Sequence, residues 1–462
     1  MSPAPGGPRR RPGAQAVRRG LAPAPPSARS VALAVVMRVT DEGAYSNLAL
    51  RRTLDRAGLS VRDAAFASEL VYGTLRRLVP IDHALAPLLD RPLETAPKPA
   101  RAALRLGAYQ LRYLRVPPHA AVAETVSLVE QRQRGFVNAV LRRLSSAEPR
   151  EPAGVTAEAI ALRTGLSAWA IRELERLLGE EAEEAAAAMA ERASTTLRVN
   201  PCRSSLAEVL KDLTAAGVSS SRGRIHDGSL LVESGDPARL PGFAEGRFVV
   251  QDQASSFVVA ALDPKPGDRI LDVCAGPGGK AAHLACLAGH DGKVVAADVS
   301  ASRLGLVRET LGRLGLQASL LVQDGRRPAL REGFDAVLVD APCSGMGSAR
   351  RRPELLWRVG REELSGLARL QVGIATAGAG LLRPGGRLIY SVCTFPRAET
   401  DAACDALLRR RPELLPFALG GPDGPAERLR LWPHRHGCDA MFVAGFKSGG
   451  AAVLPEVPIL TD

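Results

Sequence analysis

The sequence predicts a multidomain α + α/β protein: an all-α amino-terminal domain, a small α/β middle unit and a Rossmann-like, doubly wound domain. Three observations carry this prediction. With 462 residues, the chain exceeds what one ordinary core contains. Apolar residues recur at three- and four-residue spacing through its first third, which is typical of helices. After about residue 241, short apolar runs alternate with helical segments, as they do in a mostly parallel sheet.

The composition is that of a globular protein, with 46% hydrophobic and 24% charged residues. No apolar run approaches the roughly 18 residues of a membrane span, and no signal-peptide pattern is present, so we expect a cytoplasmic protein without a membrane partner. The formal net charge is +12, and only six of the 61 basic residues are lysines. This excess favours a polyanionic partner, and a solvated basic surface is the alternative interpretation.

Residues 1–28 combine Pro, Ala and Gly with arginines and contain no acidic residue, so they predict a disordered basic tail. Residues 29–150 form the predicted all-α domain. Turn-forming residues separate its helical stretches, which are expected at 31–39, 64–79, 81–89, 100–114 and 120–144.

Residues 151–240 form the predicted middle unit. Its helices are expected at 157–178, 180–192 and 205–216, and its strands near 196–199 and at 230–232. Residues 241–448 form the predicted doubly wound domain. Its strands are expected at 269–273, 293–297, 318–322, 335–339 and 387–392, with helices between them. Residues 449–462 form a tail to which no structure is assigned.

A glycine-rich loop follows the first strand of the doubly wound domain, where residues 272–280 read Asp-Val-Cys-Ala-Gly-Pro-Gly-Gly-Lys. Glycines at such a turn let the backbone approach a ligand. A P-loop is excluded because Cys274 and Ala281 stand where it needs Gly and Ser or Thr, and the dinucleotide fingerprint lacks its last glycine. Asp298 ends the second predicted strand, where its carboxylate can hydrogen-bond ribose hydroxyls. Asp324 follows the third predicted strand, where its carboxylate can hydrogen-bond an exocyclic amine such as that of adenine. The glycine-rich loop, Asp298 and Asp324, which follow successive predicted strands, together predict a nucleoside cofactor, most simply S-adenosylmethionine.

Two cysteines follow later strands of the same predicted sheet. Residues 340–345 read Asp-Ala-Pro-Cys-Ser-Gly and residues 391–394 read Ser-Val-Cys-Thr, so Cys343 and Cys393 converge if these strands are neighbours. The chain has seven cysteines without a CxxC pair, which predicts free thiols in a reducing compartment, no disulfide framework and no metal site. Inert buried thiols are the alternative.

A pair of this kind suits methylation of cytosine at carbon 5, which is a poor nucleophile. A thiolate that adds to carbon 6 activates carbon 5, and the adduct must afterwards lose the carbon-5 proton and the thiol. The nucleophilic cysteine needs a lowered pKa. An acid must also protonate or hydrogen-bond cytosine N3, and Asp340 is well placed for that role.

These motifs resemble the two signature motifs of the Nop2/Sun RNA cytosine-5 methyltransferases. The loop at 274–280, Gln-Asp-Gln-Ala-Ser at 251–255, and Arg-Arg-Pro-Glu at 351–354 with Trp357 extend the resemblance. It implies that Cys393 is the nucleophile and that Cys343 assists release. The cofactor contacts that it implies are Cys274, Ala275, Gly276, Pro277, Gly278, Gly279, Lys280, Asp298, Arg303, Asp324 and Asp340.

Residues 117–125 and 136–142 resemble the NusB-type RNA-binding domain. Over about residues 29–447 the domain order is similar to the RsmB (Sun, or Fmu) family of bacterial small-subunit ribosomal RNA methyltransferases. This resemblance implies an S-adenosylmethionine-dependent enzyme, a cytidine of 16S rRNA as substrate and no metal, with a monomer favoured. Two alternatives remain open: a transfer RNA cytosine-5 methyltransferase and a non-catalytic RNA-binding or assembly factor. Arg351 and Arg352 are candidates for phosphate contacts, with a surface charge pair as the alternative.

Overall fold

A computed structural model describes residues 26–149, 151–233 and 235–449 of the chain. Residues 1–25 and 450–462, which make up most of the two predicted tails, lie outside the described residues. None of the helices in the described ranges combines the length and the apolar character that crossing a membrane requires.

The amino-terminal domain is all-helical, as predicted. Its helices are α1 (Ala28–Glu42), α2 (Ser46–Ala57), α3 (Val61–Arg76), α4 (Leu78–Leu85), α5 (Lys98–Tyr113), α6 (Pro118–Ser127) and α7 (Gln131–Ser146). Helix α1 begins one residue before the predicted domain because Ser27 caps it, accepting a hydrogen bond from the Ser30 amide.

Two predictions for this domain were wrong. Helix α2 was not predicted, and it buries only Ser46, Ala49 and Leu50. The single helix expected over 120–144 is two helices, α6 and α7. The chain is extended at Glu130 between them, and the buried Val129 anchors the turn in the core of the domain.

The middle unit begins with α8 (Ala157–Thr164), α9 (Ala168–Leu178) and α10 (Ala182–Met189). One helix was expected over 157–178, but Gly165, with φ 84°, ends α8 in the left-handed conformation and separates it from α9. These helices share a core with residues of the carboxy-terminal domain, including Phe395 and Trp432. They therefore pack on that domain rather than on the sheet that follows them.

That sheet is antiparallel, with the strand order β2-β3-β1-β4. Its strands are β1 (Thr195–Val199), β2 (Ser220–Arg222), β3 (Ser229–Val232) and β4 (Phe248–Val250), and it packs against α11 (Leu206–Ala215). Strand β4 comes from beyond residue 240, where the unit was expected to end.

The carboxy-terminal domain is built on one large sheet with helices on its faces. Its helices are α12 (Gln253–Leu262), α13 (Gly279–Ala288), α14 (Ala301–Leu314), α15 (Leu355–Arg358), α16 (Leu364–Ala379), α17 (Asp401–Arg410) and α18 (Pro433–His436). Its strands are β5 (Arg269–Asp272), β6 (Lys293–Asp298), β7 (Ser319–Val322), β8 (Phe334–Asp340), β9 (Leu382–Val392), β10 (Leu414–Phe417), β11 (Arg428–Leu431) and β12 (Met441–Ser448).

The strand order is β10-β12-β9-β8-β5-β6-β7, and β11 also pairs with β12. Strands β5 to β9 are parallel, which confirms the predicted doubly wound core. Strands β10 to β12 were not predicted, and they join antiparallel. The chain runs outward from β5 through β6 and β7 and then returns to β8 on its other side. This reversal opens a crevice at the carboxyl ends of β5 and its neighbours.

One short segment of the carboxy-terminal domain docks the helical domain. The Ser46 amide donates to Glu354 (3.0 Å), and the Trp357 indole donates to the Leu75 carbonyl (3.1 Å). The Arg358 guanidinium donates to carbonyl groups at the end of α1 and beyond it. Glu354 is fully buried. The helical domain is therefore held through backbone groups that would otherwise be unsatisfied.

The expectation that all the cysteines are free thiols was wrong for one pair. Cys202, which follows β1, forms a disulfide with Cys286 of α13, and their Cα atoms are 6.0 Å apart. This bond joins the middle unit to the carboxy-terminal domain across 84 residues of sequence. No local sequence pattern signals a pairing of this kind, because only the tertiary fold brings the two residues together.

Candidate active site

The glycine-rich loop between β5 and α13 fits against α14 at positions where only glycine has room. A Cβ atom on Gly276 would lie 2.7 Å from the Cβ of Arg303, and one on Gly278 would lie 2.9 Å from the Cα of Val307. Asp298 Oδ2 accepts a hydrogen bond from the Gly276 amide (3.1 Å), and the Arg303 guanidinium donates to the Gly276 carbonyl (2.6 Å). Asp298 and Arg303 thus fix the shape of the loop.

The loop forms one wall of a cavity of about 270 Å³ at the carboxyl edge of the sheet. Among the predicted cofactor residues, those that line this cavity are Cys274, Ala275, Gly276, Pro277, Gly279, Lys280 and Asp340. Residues of the neighbouring 251–255 segment, such as Gln251 and Ser255, also line the cavity. The structure therefore gathers most of the predicted set around one space, with Gly278, Asp298 and Arg303 behind it.

Asp324 differs from the other predicted cofactor residues. Its carboxylate accepts hydrogen bonds from the side chain of Arg326, with Nη2 at 2.6 Å from Oδ2 and Nε at 3.0 Å from Oδ1. This hydrogen bond with Arg326 holds the pKa of Asp324 well below its usual value. A ligand amine can reach the carboxylate only by sharing it with the guanidinium or displacing it.

Cys343 and Cys393 meet in the crevice, as the sequence predicted. They follow the parallel neighbours β8 and β9, in which Asp340 is aligned with Ser391, and their sulfur atoms are 3.5 Å apart. The hydrogen bond from Cys343 lowers the pKa of Cys393, and Arg352 and Lys280 act in the same direction. The pKa of Cys343 is raised by the same interaction, by burial and by the nearby negative charges. The two thiols are thus unequal, and Cys393 is the one that ionises first.

Asp340 stands between the cysteines and the glycine-rich loop. Its Oδ2 atom accepts a hydrogen bond from the Lys280 ammonium group (2.6 Å), and Oδ1 accepts one from the Ser391 hydroxyl (2.9 Å). Burial opposes the charge of Lys280, but the attraction of Asp340 outweighs it, so the pKa of Lys280 is raised. The ion pair couples the cofactor loop to the strand that ends beside Cys343.

Family comparisons agree with this architecture. The profile of the 16S rRNA methyltransferase RsmB/F family matches residues 259–447, that of the NusB family matches 26–146, and that of the ferredoxin-like domain of RsmF/B-like methyltransferases matches 166–238. A Vibrio cholerae protein named ribosomal RNA small subunit methyltransferase B is 34% identical over 427 residues, which cover 90% of this chain and 96% of the relative. The chain belongs to the RsmB/F family.

A second relative and two solved structures are also similar to this chain. A Klebsiella pneumoniae protein of the same name is 33% identical over 410 residues, which cover 87% of this chain and 94% of that protein. The crystal structure of PH0851 has a TM-score of 0.80 at 25% identity and covers 91% of this chain and 99% of its own. The structure of NSun6 from Pyrococcus horikoshii with SFG, at 22% identity, has a TM-score of 0.56 over 61% of this chain and 97% of its own, and shows the fold alone.

In this RsmB/F chain, Glu399 organises both cysteine loops, a role that the sequence analysis missed. The carboxylate is fully buried and accepts hydrogen bonds from the Ser344 amide (2.8 Å), the Ser344 hydroxyl (2.6 Å) and the Gln371 amide group (2.9 Å). The hydroxyls of Ser344 and Thr394 are 2.7 Å apart. These residues directly follow Cys343 and Cys393, so the network fixes the spacing of the sulfur atoms.

Asp272, at the end of β5, is a second buried acid of this RsmB/F chain to which the sequence analysis gave no role. Its side chain is fully buried, and neither carboxylate oxygen has a hydrogen-bond partner among the described residues. Burial, together with the charge of Asp340, raises the pKa of Asp272 to about 7. Its position directly before the glycine-rich loop was the available signal, but an acid at a strand end commonly serves only as a cap.

Arg351 is paired with two acids beside the cavity, and its contact with phosphate stays a prediction. Its guanidinium lies between Asp252 (2.7 Å) and Asp439 (3.1 Å), and these acids already balance its charge. Both carboxylates are buried, whereas the Arg351 side chain is 31% exposed. Arg352 donates instead to the Ser348 hydroxyl (2.5 Å).

The inequality of the two thiols leads to a testable prediction for this RsmB/F protein. We expect iodoacetamide to modify Cys393 before Cys343, with an inflection in the pH profile below the ordinary thiol pKa of 9.0. Cys343→Ala should move that inflection upward because the hydrogen bond to the thiolate is lost. Peptide mass spectrometry at a series of pH values measures both effects, and the buried Cys404 serves as the unreactive internal control. Modification of Cys343 first would contradict the assignment.

Proposed function

We propose that the chain is an S-adenosylmethionine-dependent RNA (cytosine-C5)-methyltransferase that acts on a cytidine of 16S rRNA in the cytoplasm. The observation that carries this proposal is the pair of cysteines, 3.5 Å apart and with opposite pKa shifts, beside Asp340 at a nucleoside-sized cavity. The relatives named ribosomal RNA small subunit methyltransferase B support the choice of RNA.

The residues around the cavity fit S-adenosylmethionine. Gly276 and Gly279 line the cavity without side chains, so the backbone of the loop can approach a ligand there, and Asp340 adds a carboxylate to the same lining. Residues 274–280 with Asp298 and Asp324 would hold the cofactor. When bound, it supplies an electrophilic methyl group on a sulfonium.

Cys393 starts the proposed reaction. Its thiolate adds to carbon 6 of cytosine, and the electron pair of the C5–C6 double bond makes carbon 5 nucleophilic. We assign Asp340 to cytosine N3: its carboxylate takes up the proton that the Cys393 thiol releases and passes it to N3, where negative charge develops as the sulfur adds to the ring. The Lys280 ammonium group holds this carboxyl group in place, and its positive charge stabilises the negative charge that develops on the cytosine ring.

Release reverses the addition. The carbon-5 proton leaves to a base, the double bond forms again, and the electrons of the carbon–sulfur bond return to Cys393. We assign the assistance of this step to Cys343, because its sulfur is the nearest titratable group to that of Cys393 in the described structure. Glu399 keeps Cys343 at that distance through Ser344.

The experiment that tests this function compares two RNAs side by side. The full chain is incubated with methyl-labelled S-adenosylmethionine and unmodified small-subunit rRNA or transfer RNA, and the nucleosides are separated by mass spectrometry. We expect label only in 5-methylcytidine from the small-subunit RNA, and none with Cys393→Ala. Label only in transfer RNA would overturn the substrate, and label on another base would overturn the chemistry. Absence of methylation together with absence of cofactor binding would favour a non-catalytic RNA-binding factor.

A further inference from the structure

Arg198 of β1 is a buried cation behind the cavity. It is 1% exposed, and it belongs to the middle unit rather than to the domain that forms the cavity. Its Nε donates to the Gln251 side-chain oxygen (2.5 Å), and its Nη2 donates to the Gly279 carbonyl (3.2 Å). Within the described ranges of the chain, no carboxylate approaches its guanidinium to within 4.0 Å. The charge of Arg198 therefore lacks a counter-ion in the protein.

The titratable groups nearest to Arg198 do not balance its charge. The rings of His226 and His283 lie 5.5 Å apart in an edge-to-face arrangement. Burial, assisted by the charge of Arg198, lowers the pKa of His226 to about 4 and that of His283 well below its usual value. Both imidazoles are neutral at physiological pH, so they add no negative charge.

The two groups that Arg198 holds are parts of the cavity wall. Gln251 and Gly279 both line the cavity, and Gly279 is the first residue of α13, whose amino terminus carries a partial positive charge. The other cations of the wall are neutralised, since Lys280 is paired with Asp340, and Arg351 with two acids. Arg198 is therefore a cation at the Gln251–Gly279 end of the cavity that no carboxylate of the described residues balances.

An unpaired buried charge destabilises a fold, because it loses its hydration without gaining a partner. Such a charge is balanced when a ligand brings the opposite charge into the site. S-adenosylmethionine carries a carboxylate on its amino-acid part. We propose that Arg198 is a positioning residue of the cofactor site that makes the Gln251–Gly279 wall selective for this carboxylate. The inference rests on the proposed use of S-adenosylmethionine.

The test compares two ligands that differ in this group. Dissociation constants of S-adenosylmethionine and of decarboxylated S-adenosylmethionine are measured by calorimetry on the full chain and on Arg198→Met. We expect the variant to bind S-adenosylmethionine roughly tenfold more weakly and the decarboxylated ligand less than about twofold more weakly. Arg198→Lys, which keeps the charge, should restore part of the difference between the two ligands.

A matched control is Arg313→Met. The Arg313 guanidinium donates to the carbonyl groups of Phe243 and Phe248 and so also joins the middle unit to the carboxy-terminal domain, but it does not line the cavity. It should leave both dissociation constants unchanged. Thermal unfolding of Arg198→Met should occur at the wild-type temperature or above it, because a buried unpaired charge is removed.

The outcomes separate the inference from the proposed function. An equal loss for both ligands, or no loss for either, would overturn the carboxylate selectivity while leaving S-adenosylmethionine as the cofactor. A wild-type chain that binds neither ligand would overturn the proposed cofactor, and the inference with it.

Discussion

Cys343→Ala should turn the enzyme into a protein that remains covalently attached to its RNA. Cys393 keeps its thiol in this variant and can still add to carbon 6, whereas the neighbour that assists release is gone. We expect an adduct that survives a denaturing gel after incubation with S-adenosylmethionine and small-subunit RNA, and a fall in turnover by roughly two to four orders of magnitude. The adduct should carry the transferred methyl group, because release follows transfer.

The controls use the other cysteines. Changing Cys393 to Ala as well should abolish the adduct, because the attacking sulfur is then absent. Cys404→Ala removes a buried thiol of α17 that takes no part in the proposed reaction, and it should behave as the wild type does. An adduct that persists without Cys393 would mean that the roles of the two cysteines are reversed.

Asp340→Asn should lower the rate of methyl transfer by about 10²- to 10⁴-fold. Asparagine has nearly the same shape, so the strand and the cavity remain. It cannot carry the proton that we assign to cytosine N3, and it leaves the buried Lys280 ammonium group without its counter-ion. Single-turnover kinetics with saturating cofactor measure the loss directly.

Asp335→Asn provides the control for this substitution. Asp335 lies at the opposite end of β8, where it pairs with Arg383, so the same chemical change is made on the same strand away from the cavity. It should leave the rate within about twofold of the wild type. If Asp340→Asn weakened only the binding of S-adenosylmethionine and left the rate unchanged, the assignment to N3 would be wrong.

The parallel core was predictable because its strands are buried on both faces. Strands such as β6 and β8 therefore read as short apolar runs, each ending in an aspartate. Strands β10, β11 and β12 were missed, and neither length nor burial explains this, because β7 is as short as β10 and β12 is eight residues long and mostly buried. Helix α2 was also missed, although its apolar residues lie on one face, and only Ser46, Ala49 and Leu50 of it are buried.

The candidate site shows the same division between local and distant information. Cys343, Cys393 and Asp340 could be predicted because each stands beside a strand end, and the topology of a parallel sheet brings such ends together. The contacts of Glu399 with Ser344 and of Arg198 with Gly279 span 55 and 81 residues of sequence. Nothing in the local pattern indicates these partners, since they depend on how whole elements pack.

The docking segment at residues 354–358 has a consequence for how this protein can be divided. It follows the Cys343 loop by only a few residues, and it satisfies backbone groups of α1, α2 and α3 with the side chains of Glu354, Trp357 and Arg358. A catalytic fragment without the helical domain would expose the Trp357 indole and the Glu354 carboxylate, which now contact that domain. A loss of activity in such a fragment would therefore have two causes: disruption of the interface between the domains and loss of RNA binding by the helical domain. Point substitutions on the outer surface of the helical domain can separate these two contributions.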